Sequence, residues 1–177
     1  MKATGIVRRI DDLGRVVIPK EIRRTQHIRQ GDPMEIFTTA SGEVIFKKYS
    51  PIGSLENFAE NCAEALYKTM GLPALICDRD SIIAAAGPGR REHAEKAVST
   101  PLERIMNSRK LYTHRNEAVF PCEGAERLIL AASPVVASGD VIGAVLLLEQ
   151  KPDEMPTEEI KTAVSITSCF LAKQIEE

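Results

Sequence analysis

Apolar and polar positions first alternate in short, β-branched runs. Residues 2–10 set Ile6, Val7 and Ile10 among basic and small neighbours, a β-like pattern. Asp11-Asp12-Leu13-Gly14 interrupts it as a turn, with Gly14 free to take a positive φ. Arg15-Val16-Val17-Ile18 is rich in β-branched residues and predicts a strand. Pro19 biases Ile18 towards extended backbone and suits the first turn of a helix. A short helix is therefore expected over residues 20–25, with Ile22 facing inward. Gly31-Asp32-Pro33 is a second break, and residues 34–38 and 43–47 alternate as two strands about an Ala40-Ser41-Gly42 turn.

The pattern changes after Tyr49. Ser50-Pro51-Ile52-Gly53 stops any continuation, so the expected division is a domain over 1–50, a linker over 51–54 and a second domain over 55–177. From Leu55 the period becomes helical: Leu55, Phe58, Ala59, Cys62, Leu66 and Met70 share a face, with Ser54 as the expected N-cap and Gly71 as the stop. Residues 73–78 and 82–85 read as strands around Arg79-Asp80-Ser81. After the Gly87-Pro88-Gly89 break, helical pieces are expected over 92–99 and 102–109, then a loop over 113–116. Residues 118–120, 128–134 and 141–149 read as strands, the last two joined by Ser138-Gly139-Asp140. Thr157 is expected to cap a closing helix whose first turn carries Glu158 and Glu159, which suits the helix dipole. Its buried stripe would be Ile160, Ala163, Val164, Thr167, Phe170 and Leu171. The fold class is α+β: a β-rich head, then an antiparallel sheet bracketed by helices.

Composition narrows the class. The 177 residues are 44% hydrophobic and 27% charged, as in a globular chain of one or two domains. The longest apolar run, 141–148, is far short of the roughly 20 residues that a membrane span needs. No apolar signal core stands in MKATGIVRRIDD, so a cytoplasmic location with no membrane partner is expected. Cys62, Cys77, Cys122 and Cys169 are far apart, without a CxxC pair, and read as reduced thiols rather than zinc ligands.

The formal charge of −2 conceals an asymmetry. Residues 1–50 hold four Lys and six Arg against three Asp and three Glu, a net of +4; residues 51–177 carry −6. About 50 residues with few large apolar side chains bury too little surface to stand alone comfortably. Pairing of the head with a second copy, through interleaved β-rich halves, is expected.

Catalytic and cofactor patterns are missing from the sequence. There is no GxxxxGK[ST], HExxH or GxSxG; His27, His93 and His114 are far apart; no two carboxylates are forced into one cleft. No catalytic residue, metal or cofactor is expected, and the reading is not an enzyme. Lys2, Arg8, Arg9, Arg15, Lys20, Arg23 and Arg24, by contrast, outnumber the nearby Asp11, Asp12 and Glu21. Charge alone leaves two readings open, a solvated surface or a phosphate-binding face.

The order and spacing of GIVR, D-x-LGRVVIP and E-x-RRT, with GDPMEIF and VIFKKY after them, resemble the AbrB-type swapped-hairpin DNA-binding domain over about the first 50 residues. LICDRD, VIGAVLLLE and the closing FLAKQIEE resemble, less specifically, a GAF module. The resemblance implies an intertwined N-terminal dimer on double-stranded DNA. Arg8, Arg15, Arg23 and Arg24 match the family's DNA-contacting positions, and Lys2 and Arg9 would be further phosphate contacts. Relatives with both modules activate or repress late sporulation genes, and they form tetramers through C-terminal helices, here residues 55–70 and 160–175. Their GAF module leaves room for a small-molecule effector, with no cofactor signature in this chain. The alternative is an AbrB-like antitoxin or general transition-state regulator. Antitoxins usually carry a short disordered tail in place of a folded module as long as residues 54–177. One departure is Gln26, where relatives usually have leucine.

Overall fold

A computed structural model describes residues 4–115, 117–152 and 154–176, and the chain divides after Tyr49 into two units. In the first unit, α1 (Lys20–Thr25) follows Pro19, and β1 (Met34–Thr38) and β2 (Val44–Lys48) form an antiparallel hairpin with Ile36 opposite Phe46. The helix has the bounds expected of it, and Pro19 stands at its N-cap with the extended ψ of 149° that ends a β-like stretch.

Residues 4–10 and 15–18 were expected as strands. Neither lies in a ladder in this single copy, among the described residues. A strand needs a neighbouring strand to take its N–H and C=O groups, and among the described residues of one copy no strand pairs with either stretch. Both stretches leave large apolar side chains in solvent: Val7 is 85% exposed and Val17 71%.

The second unit is a five-stranded antiparallel sheet in the order β4-β3-β7-β6-β5. Its strands are β3 (Ala74–Asp78), β4 (Ile82–Ala86), β5 (Tyr112–Thr113), β6 (Ile129–Ala137) and β7 (Asp140–Leu148). Successive side chains on β3 and β7 face opposite sides. Ile76, Val145 and Leu147 pack with α2 (Glu56–Met70) and α5 (Glu158–Glu176). Leu75, Cys77, Leu146 and Leu148 pack with α4 (Thr100–Ser108). Burial on both faces is why β7 reads as an unbroken apolar run. Each fully buried Leu or Ile contributes about 1.5–3 kcal/mol.

Three local expectations fail for identifiable reasons. Ser54 does not cap α2: a 3-10 turn (Gly53–Leu55) precedes the helix, and the Ser54 hydroxyl donates to the Pro51 carbonyl at 2.6 Å. Gly71 does close it, donating its N–H to the Tyr67 carbonyl. The helix expected over 92–99 is only α3 (Arg90–His93). Ala94 turns extended and Glu95 takes a left-handed φ of 61°, which no helix tolerates. The chain then runs as a connector bridged to Ser81 and Cys122, and Ser99 begins α4 by accepting the Leu102 amide at 3.1 Å. Finally, Phe170 lies outside the buried stripe of α5, 52% exposed and 5.5 Å from Phe58 on α2; Ser168 takes the buried position, sharing a 2.7 Å hydrogen bond with Ser133.

Ile52, inside the stretch expected as a linker, is fully buried in the α2–α5 core, so the second unit is anchored from its first residues.

Candidate nucleic-acid interface

The turn after residue 10 is built by one carboxylate. The Asp11 amide donates to the Arg15 carbonyl and the Gly14 amide donates to the Asp11 carbonyl, closing the loop. Gly14 sits at φ 74°, where a side chain would be strained. Asp11 Oδ1 accepts both the Leu13 amide at 3.1 Å and the Arg15 amide at 2.7 Å. Its Oδ2 meets Arg15 Nε at 2.7 Å. The Arg15 amide first, and then its guanidinium, hold the Asp11 carboxyl below the usual aspartate range. Only Nε of Arg15 is engaged in that pair, and the side chain stays 69% exposed. The two terminal guanidinium nitrogens thus project from a fixed stem, the fork that grips a phosphate or a guanine edge.

Helix α1 presents the second pair. The Arg23 amide donates to the Pro19 carbonyl, and the Arg23 and Arg24 carbonyls accept from Ile28 and His27, which fixes the last helical turn. Ile22 is half-buried, while Arg23 and Arg24 point to solvent. Arg8 and Arg9 are exposed on the segment before the turn. Among the described residues, Arg8, Arg9, Arg23 and Arg24 carry no ion pair, so their charge is not consumed within the chain. The structure joins Asp11 to Arg15 but makes no direct bond among the five arginines. Lys2 lies outside the described residues.

The clasp of Arg15 by Asp11 was not foreseen as part of the interface; the sequence reading gave Asp11 a turn role only. The i to i+4 spacing of an acid and an arginine across a glycine turn was the available signal. Lys47, which stands 5.0 Å from the Phe37 ring centre, was likewise not singled out.

Two family models match the chain. The one described as stage V sporulation protein T C-terminal, transcription factor, covers residues 54–176, and the one described as antidote-toxin recognition MazE, bacterial antitoxin, covers 7–53. Stage V sporulation protein T of Bacillus subtilis (strain 168) is 48% identical over 180 residues and 100% of both chains. Transition state regulatory protein AbrB of the same organism is 55% identical over 51 residues, 29% of this chain and 52% of that one. The second unit shares its fold with solved GAF domains. The GAF domain of an Acinetobacter phosphoenolpyruvate-protein phosphotransferase superposes with a TM-score of 0.53 at 11% identity, over 68% of this chain and 81% of that one. The nlh2 GAF domain of A. aeolicus gives 0.53 at 13% identity, over 69% and 86%. With identity sustained from end to end, an AbrB-like head and a GAF-fold body that matches the transcription-factor model, the chain belongs to the stage V sporulation protein T family of transcription factors.

Proposed function

We propose that the first unit binds double-stranded DNA as an intertwined pair, with Arg8, Arg15, Arg23 and Arg24 of both copies on phosphates and base edges, and Arg9 and Lys2 as flanking phosphate contacts. The observation that carries this is the set of exposed arginines, four without an internal ion pair and one held on a carboxylate stem, on a unit of net positive charge. The apolar side chains left in solvent by residues 4–18, and by Ile36 and Val44 on the hairpin, support pairing with a second copy. Burying that surface offsets what 50 residues lack alone.

Two such pairs join into a tetramer through α2 and α5, where Phe170, Ile166 and Phe58 leave an apolar helical face. The assembly acts in the cytoplasm on late sporulation genes, by sequence and by local DNA shape. The GAF-fold unit serves assembly and, on a second reading, responds to a small molecule by favouring one of two arrangements of the DNA-binding pairs. A thermal-shift screen of metabolites on the full chain distinguishes the two. The antitoxin model reaches only residue 53, and the folded body matches a transcription factor, which favours regulator over antitoxin.

A salt titration of DNA affinity tests the central point. Eight arginines engaging DNA give a slope of log K against log salt of about −7, and a slope near zero defeats the reading.

A further inference from the structure

Cys122 and His93 are 29 residues apart in sequence, yet Cys122 Sγ lies 3.6 Å from His93 Nδ1, and both are buried. The topology makes the pair. His93 ends α3, and the connector that follows bridges Val98 to Cys122. Cys122 also lines a cavity of about 430 Å³ in the GAF-fold unit, with Val98, Ser99, Pro101, Phe120 and Ala125. The walls are small and mainly apolar, and Glu123 stands exposed among the lining residues.

A thiol and an imidazole nitrogen within hydrogen-bond reach are a nucleophile and its base. We propose that Cys122 is a nucleophilic thiol with His93 as its general base, and that the cavity admits a soft carbon electrophile, an α,β-unsaturated carbonyl compound. This stands apart from the DNA-binding reading, because it concerns only the second unit. Burial is the largest influence on His93 and lowers its pKa; Glu92 opposes it, and Lys96 and Arg127 reinforce it. Burial raises Cys122, and Lys96 opposes that. Both groups are therefore neutral near pH 7, and the imidazole tautomer that carries its proton on Nε2 leaves Nδ1 to take the thiol proton. Among the described residues no third acid, thiol or imidazole completes a metal site with them.

The step balances without a further reactant. Sγ bonds to the β-carbon of the electrophile while the thiol proton passes to Nδ1. The alkene electron pair moves into an enolate, and the α-carbon then takes the proton from the imidazolium. The product is a thioether, and His93 returns to its neutral form.

The other thiols are internal controls. Cys77 is fully buried, pushed up to about 12, and faces Met106 Sδ at 4.0 Å. Cys169 is exposed on α5. Cys62 is half-buried and raised by that burial.

The test is peptide-mass mapping of the full chain treated with limiting N-ethylmaleimide between about pH 7 and pH 8. Cys122 is expected to label at a rate nearly flat across that range, because neutral imidazole takes the proton throughout. Cys169, exposed on α5, is the labelling control. His93→Gln should slow Cys122 about a hundredfold and leave Cys169 unchanged. Labelling of Cys77 reports unfolding; if the variant shows it, the pH profile of the native chain decides. Failure of Cys122 to label once Cys169 is saturated overturns the proposal, as does a tenfold-per-unit slope at Cys122 or an unchanged rate in a folded His93→Gln protein.

Discussion

Asp11 clasps Arg15 at two points: one carboxylate oxygen accepts the Arg15 amide at 2.7 Å and the other meets the guanidinium Nε at 2.7 Å. Coulomb attraction to DNA and placement of the arginine make opposite predictions for Asp11→Asn. The change removes a negative charge from the interface, which on charge alone strengthens binding. It also keeps an oxygen for the amides while releasing the guanidinium. We expect placement to win, with DNA binding weakened by about threefold in a fluorescence titration. Tighter binding would show that the clasp does not position Arg15. The pH dependence has a definite sign. The folded-state pKa of Asp11 is lowered, so the clasp's contribution is fully present above the ordinary aspartate range and is lost progressively as pH falls from there through that lowered value.

Arg24 carries its charge into solvent from the last turn of α1. Arg24→Ala should weaken binding to all DNA sequences alike. One charge leaves each of two copies, so the salt slope should become shallower by about 2. The melting midpoint should stay where it is. An unchanged slope would move the interface away from α1.

Val7 separates a free surface from a shared one. At 85% exposure in one copy, Val7→Lys should change stability by no more than about 0.5 kcal/mol if the segment stays in water. If a second copy covers it, the buried lysine should cost about 2 kcal/mol or more and lower the dimer's melting midpoint most at low protein concentration. We expect the second outcome, together with loss of DNA binding.

These predictions rest on parts of the fold of unequal legibility. The turn at Gly14, the helix after Pro19, the stop at Gly71 and the apolar run of β7 follow from local chemistry, and a sequence displays local chemistry directly. The strands expected over residues 2–10 and 15–18 lie in no ladder among the described residues, because a ladder needs a second segment that local chemistry does not supply. The misplaced helix over 92–99 turned on Glu95, a residue of ordinary propensity that stands in a left-handed conformation with its amide donating to the Ile82 carbonyl. Candidate arginines could be listed from motif spacing, but their surroundings could not: the carboxylate behind Arg15 and the imidazole beside Cys122 come from folding, the latter across 29 residues.

Ile166 tests the assembly. It is 64% exposed on α5, one turn from Phe170, on a helix whose other face packs the core. A lone exposed isoleucine needs no explanation, but Ile166 and Phe170 with Phe58 beside them form a patch. On the proposed assembly, Ile166→Glu should leave the fold intact and convert tetramers to dimers in analytical ultracentrifugation, because a charge would be buried there only on assembly. A tetramer that survives would place the contact elsewhere.

Gly143 tests how the second unit is closed. A Cβ there would run into the Cys77 carbonyl and the Ile52 side chain, with Asp78 Cα 3.0 Å away. Two of those obstacles are backbone of the paired strand β3, and only Ile52 can yield. Gly143→Ala should therefore destabilise by about 3 kcal/mol or more, at the upper end of overpacking. Adding Ile52→Ala removes the movable obstacle but leaves the carbonyl, and it opens a cavity costing roughly 2–5 kcal/mol of its own. The double variant should consequently be less stable than either single one in urea unfolding. Recovery of stability in the double variant would mean that the side chain, not the strand, is what excludes a Cβ at position 143.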